Sequence, residues 1–169
     1  MGHRLASAVF AAAAIMASGA AKAAMIVEFT ESGGDVIAAY SGSLLMGAGV
    51  VVLDSALSGG NDSTSIRPAN GGFRALNHSP WTYASTTYSS GAFGTGAGSI
   101  LGSMSGDSFS FSAGGGGAGE LGAPGNYVSG APIAGVATFS GHSFASLGLS
   151  PGATVISLAD GDTITVRIA

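Results

Sequence analysis

Residues 108–112 read Ser-Phe-Ser-Phe-Ser, and residues 163–168 read Thr-Ile-Thr-Val-Arg-Ile. In both, an apolar side chain recurs at every second position. That period matches the alternation of a strand with one face buried, and not the 3.6-residue period of a helix. The run from Trp81 to Tyr88 is rich in aromatic and β-branched residues, which suit a pleated, half-buried surface. Further strands are expected at 25–30, 35–43, 50–54, 100–104, 135–140 and 154–158. Turn-like pieces separate them: Glu31-Ser32-Gly33-Gly34, Ser58-Gly59-Gly60-Asn61-Asp62, Asn70-Gly71-Gly72, Ser150-Pro151-Gly152 and Asp160-Gly161-Asp162. Glycine reaches positive φ without steric penalty, so these pieces favour tight reversals. Downstream of residue 24, no segment keeps a helical apolar pattern for three turns. Short strands with Gly-rich turns predict an all-β fold, an antiparallel β-sandwich of jelly-roll-like or Ig-like type with Gly-rich loops. The stretch 113–124, with four consecutive glycines, reads as a surface loop.

The first residues follow a different pattern. His3 and Arg4 make a short basic start, an Ala-rich apolar stretch runs from Leu5 to Ala17, and small residues follow to Ala24. Basic start, apolar middle and A-x-A exit, in that order, are the parts of a secretory signal. The tripeptide Ala21-Lys22-Ala23 places cleavage after Ala23, with Ala20 as second choice. The apolar run is shorter than the roughly 20 residues a membrane-spanning helix needs. The expected organisation is a signal peptide over 1–23 and a single β-domain over 24–169, secreted, extracellular or periplasmic in a Gram-negative type of envelope. No stable membrane span is expected once the signal is removed.

Removing 1–23 takes away Arg4 and Lys22, so the net charge moves from −4 to −6, with three arginines against nine acids. Such a surface repels phosphate backbones and anionic lipid, so nucleic acid is not an expected partner. Cysteine is absent from the 169 residues, which excludes disulfides, thiolate catalysis and cysteine-ligated metal. Only 8% of residues are charged, so the surface is polar mainly through hydroxyls and backbone.

Gly141-His142-Ser143-Phe144-Ala145 imitates a nucleophile elbow, which needs strand, turn and helix and then an acid and a histidine later in the chain. No histidine follows residue 142, and a Ser/Gly turn between strands is the expected structure. Gly114-Gly115-Gly116-Gly117-Ala118-Gly119 matches a dinucleotide-binding string without the βαβ context that gives it meaning. The acidic turns at Asn61-Asp62 and Asp160-Gly161-Asp162 offer too few oxygens for calcium in one short copy. His78 and His142, far apart in sequence, do not form a ligand set. No metal and no cofactor is expected, and no paired general acid and base stands out. Trp81 and Tyr83 share a face of one strand, with Tyr88 nearby. They form either part of the core or an aromatic platform for sugar rings.

The segments Ala24-Met25-Ile26-Val27-Glu28-Phe29, Tyr40-Ser41-Gly42-Ser43-Leu44, Ile66-Arg67-Pro68-Ala69-Asn70-Gly71-Gly72-Phe73, Phe93-Gly94-Thr95-Gly96, Ser105-Gly106-Asp107-Ser108-Phe109, Tyr127-Val128-Ser129-Gly130 and Phe144-Ala145-Ser146-Leu147-Gly148-Leu149-Ser150-Pro151-Gly152 resemble exported bacterial proteins of the exosortase-sorted PEP-CTERM and VPLPA-CTERM type. The last of these blocks is the most specific. The resemblance implies a surface or exopolysaccharide-associated protein and carries no catalytic residues across. Such proteins usually continue into a Pro-containing motif, an apolar helix and a basic tail, whereas here the sequence stops at Arg167-Ile168-Ala169, so either a released member or a truncated sequence is expected. The expectation is a non-catalytic secreted or cell-surface matrix protein. The alternatives are a module that binds extracellular polysaccharide through Trp81, Tyr83 and Tyr88, and a serine hydrolase using Ser143. Partners would be polysaccharide or other surface proteins.

Overall fold

The structure is a computed structural model that describes residues 22–45, 51–52, 63–77, 81–86, 92–96, 100–113, 119–125 and 127–169. Its strands, in chain order, are β1 (Ala24–Ser32), β2 (Asp35–Gly42), β3 (Val51–Val52), β4 (Ser63–Arg67), β5 (Gly72–Leu76) and β6 (Trp81–Thr86). They continue with β7 (Ile100–Gly106), β8 (Phe109–Ala113), β9 (Gly119–Pro124), β10 (Ile133–Phe139), β11 (Gly152–Ser157) and β12 (Thr163–Ile168). A 3-10 turn covers Pro68–Asn70, and a single helical turn, α1, covers Phe144–Leu147. The molecule is predominantly β. All the strands hydrogen-bond side by side in the order β11-β12-β1-β2-β10-β7-β4-β5-β8-β9-β6-β3.

The alternations in the sequence set these strands. In β1, Met25, Val27 and Phe29 are buried; in β12, Ile164, Val166 and Ile168 are; in β8, Phe109 and Phe111 are. The β1–β2 hairpin closes over Gly33-Gly34, with Ser32 paired to Asp35. Both turn residues have positive φ, 65° and 91°, as a two-residue turn matched to strand twist requires.

Three expectations are corrected. First, the sheet is mixed and not purely antiparallel: β1 and β12 run parallel, Met25 beside Ile164 and Phe29 beside Ile168. A parallel pair needs a crossover connection, and here the crossover is the rest of the domain. Second, part of the stretch read as a loop over 113–124 is strand β9, paired with β8 and β6. Its glycines hid the alternation of Leu121 and Ala123, which are buried. The Gly114–Ala118 portion lies outside the described residues, as does the Asn61-Asp62 turn. Third, the Ser/Gly segment after β10 is not a bare turn but opens α1.

The sheet is curled into a half-barrel. On a flat sheet, β1 and β5 would sit five strand spacings apart, about 24 Å at about 4.8 Å each. Instead, Phe29 of β1 meets Phe73 of β5 edge-on at 5.8 Å, and Tyr40 of β2 lies 5.7 Å from Phe109 of β8. Strand β7 carries the bend. Residues Ser103–Gly106 pair with β10, while Ile100–Gly102 pair with β4. Gly102 stands at the junction, where a Cβ would come 2.5 Å from the Thr138 carbonyl oxygen. Only a residue without a side chain lets the two stretches of backbone approach this closely. The core inside the curl is aromatic, with Phe29, Tyr40, Phe73, Phe93, Phe109 and Phe111 in mutual contact. Tyr40 donates its hydroxyl proton to the Asp107 carbonyl at 2.6 Å. Burial, reinforced by the Asp107 charge, pushes its pKa well above the ordinary tyrosine value, so it stays a neutral donor.

Candidate functional site

Among the described residues, a grouping of charge and hydroxyls lies on the outer face of β4, β5, β8 and β9. The alternation that sends Ile66, Phe73, Phe111 and Leu121 inward sends Ser65, Arg67, Arg74, Ser112 and Glu120 outward. Register lines these up in two cross-strand rows. One runs Ser65, Arg74, Ser110, Gly122; the other runs Arg67, Gly72, Ser112, Glu120. Together they edge a depression of about 60 Å³. That is far below the roughly 300–1,000 Å³ of an enclosing small-molecule site, so any ligand here would lie on the surface. Two of the five basic residues of the chain, Arg67 and Arg74, stand at its rim. The Arg74 guanidinium is 3.9 Å from the Glu120 carboxylate, with both side chains well exposed. An exposed pair at this range contributes about 0–1 kcal/mol, so the pair adds little to the stability of the fold. The same face closes over towards Leu76, Ser108 and Ser110, all buried.

Of the sequence-predicted aromatic residues, Trp81 and Tyr83 sit in β6, opposite Pro124 and Gly122. Because Gly122 opposes Ser110, which opposes Arg74, position 83 extends the first outward row, and position 81 is of the same parity. Their side chains, together with Tyr88 and His78, lie outside the described residues. The arginine pair escaped sequence reasoning because its members are seven apart. The signal for it was a hairpin, Arg67-Pro68-Ala69-Asn70-Gly71-Gly72, that returns the chain on the same face.

A second cleft, about 430 Å³ and open to solvent, lies where the β1–β2 hairpin meets α1. Glu31, Asp35, His142, Ser143 and Ser146 line it. The acid, histidine and serine types of a hydrolase are thus neighbours, but their bonds run elsewhere. Ser143 is the N-cap of α1: its Oγ accepts the Ser146 N–H at 3.1 Å, and the Ser146 Oγ accepts the Ser143 N–H at 2.9 Å. This is a reciprocal capping box with serine in the third position. His142 Nδ1 lies 3.2 Å from Ser146 Oγ, and Ser146 Oγ also donates to the Ser143 carbonyl. The carboxylates take backbone amides, Asp35 from Gly141 at 2.8 Å and Glu31 from Phe144.

The acidic turn is also built into the fold. Asp162 is 1% exposed and accepts the Ala23 N–H at 3.1 Å and the Leu45 N–H at 2.6 Å. Burial raises its pKa above the ordinary carboxylate value, and Asp160 adds to that, while the two amides and Lys22 act against it. Asp160 uses Oδ1 to accept the Asp162 N–H, and its Oδ2 is buried without a partner. Among the described residues, no three His, Asp or Glu side chains are grouped to hold a metal ion, and no helix is long and apolar enough to cross a membrane.

No family model, curated protein or solved structure matches the chain. The functional reading therefore rests on these residues.

Proposed function

We propose that this is a non-catalytic protein, exported to the cell surface or its matrix, that binds extracellular polysaccharide on the outer face of β4, β5, β8, β9 and β6. The two halves of the curled sheet, joined through β7, are read as the layers of a β-sandwich. The observation that carries the binding role is the outward grouping of Ser65, Arg67, Arg74, Ser112 and Glu120, with the row through Ser65 and Arg74 continued in register by position 83. Guanidinium, hydroxyl and carboxylate groups are the donors and acceptors that hydroxyl-rich chains use. Trp81 and Tyr83 are the aromatic residues that the sequence of this strand offers for stacking on sugar rings. A shallow, open contact suits a long polymer, which needs no enclosing pocket. The resemblance to exopolysaccharide-associated exported proteins and the signal-like start support the location.

The test is co-sedimentation of the purified protein with envelope polysaccharide from a Gram-negative bacterium, alongside glycan-array binding. Retention is expected to fall at least tenfold in Arg67→Ala/Arg74→Ala and in Trp81→Ala, with unchanged circular dichroism. Equal retention of wild type and both variants would sink the proposal. A second reading, hydrolysis by Ser143, is motivated by the cleft that brings His142, Ser143 and two carboxylates together. A serine-directed fluorophosphonate separates the two readings. Ser143 is expected to stay unlabelled, because its hydroxyl caps a helix and contacts no base; labelling of Ser143 would favour the hydrolase.

A further inference from the structure

The start of the described chain is fastened to its last hairpin. Ala23 is buried, with 7% exposure. Its N–H bonds the buried Asp162 carboxylate at 3.1 Å, and its carbonyl accepts the Thr163 N–H at 3.3 Å. Lys22 lies against the Asp160-Gly161-Asp162 turn: a Cβ built on Gly161 would meet its Nζ at 2.6 Å and its Cε at 3.2 Å. Its ammonium is near enough to the buried Asp162 carboxylate to favour the charged form, and the neighbouring Asp160 has an unpartnered buried oxygen. A buried carboxylate is costly unless it is paired and hydrogen-bonded. Removal of Lys22 and Ala23 takes away a cation and one of the two amides that Asp162 accepts.

From this contact set we infer that processing occurs on the N-terminal side of Lys22, after Ala20 or Ala21, and that Lys22-Ala23 stays in the mature protein as a latch on the Asp160-Gly161-Asp162 turn. This rests on the export reading and replaces the Ala23 cleavage that the A-x-A rule alone selects. The sequence permits the shift, since Ser18-Gly19-Ala20 and Gly19-Ala20-Ala21 both place small residues at the two positions the rule requires. The latch joins the first residues to a turn that lies about 140 positions away in the chain, and so closes the parallel β1–β12 pair at its N-terminal end.

Two measurements test it. The full precursor is expressed in a Gram-negative host, and the exported protein is read by intact mass and N-terminal sequencing. A start at Ala21 or Lys22 supports the inference, and a start at Ala24 overturns it. An uncleaved precursor overturns the export reading itself, a distinguishable result. Separately, chains beginning at Ala21 and at Ala24 are melted at neutral pH. The shorter chain is expected to melt several degrees lower, and equal melting would show that the latch holds nothing.

Discussion

Asp162 is a residue whose chemistry runs against its surroundings. Its carboxylate is buried, and burial together with Asp160 raises its pKa, so the folded state holds the proton more tightly than the unfolded chain does. Its contribution to stability is therefore complete below the unfolded value near 3.8 and is lost as pH rises through the higher folded value. Denaturant unfolding of wild type and Asp162→Asn across that range checks the sign. Relative to the variant, wild type is expected to lose stability as pH rises. A difference that grows with pH, or that stays flat, contradicts this reading. At neutral pH, Asp162→Ala is expected to cost about 1–3 kcal/mol, because the Ala23 and Leu45 amides lose their acceptor. Ser143 makes a smaller case of the same kind. Ser143→Ala leaves the Ser146 amide without its cap and is expected to cost about 1 kcal/mol in urea unfolding. Ser143→Asp, which keeps the cap, should recover most of that loss. A role as nucleophile would show no such rescue.

Elements differ in how openly the sequence declares them. β8 and β12 were legible because each alternates apolar and polar residues without interruption, and the β1–β2 hairpin was legible because Gly33-Gly34 leaves little else for the backbone to do. β4 and β5 were not, since Ser63–Arg67 and Gly72–Leu76 are short and each carries few large apolar residues. β9 was hidden most deeply: with glycine at 119 and 122 and proline at 124, its propensity reads as loop, and pairing with β8 and β6 overrides it. Leu121→Ala tests whether β9 belongs to the core. Leu121 is 1% exposed, so the expected loss is about 2–5 kcal/mol, whereas a loop residue would cost almost nothing. The candidate site followed the same division. Trp81 and Tyr83 were visible as an aromatic strand, but register alone places position 83 in the row that holds Arg74, with position 81 opposite Pro124 on the same face. Arg67 and Arg74 meet only through the hairpin built around the 3-10 turn Pro68–Asn70, whose turn residues the sequence displays but whose register it does not.

At the scale of the whole molecule, the fold is closed by its two ends. β12 lies between β11 and β1, and Ile164, Val166 and Ile168 are buried in the same core as Met25, Val27 and Phe29. Without β12, β11 has no partner and β1 becomes a bare edge with apolar residues facing an opened core. Deleting the strand therefore removes more than three side chains from the interior: it leaves β11 unpaired, bares one edge of β1 and takes away the Asp162 turn at the same time. A chain ending at Asp160 is expected to show no cooperative thermal transition and poorly dispersed amide resonances, while a single core truncation such as Val166→Ala keeps a cooperative transition at a lower temperature. Because the pairing partners stand at opposite ends of the sequence, the loop closed by their contact is nearly as long as the domain, and folding should be slow, in milliseconds to seconds. β12 is made after every other described strand and completes the pairing of β1 and β11. Closure therefore waits for β12, a delay that suits the proposed export, and a cooperative transition surviving in the truncated chain would show that closure by β12 is not what holds the molecule folded.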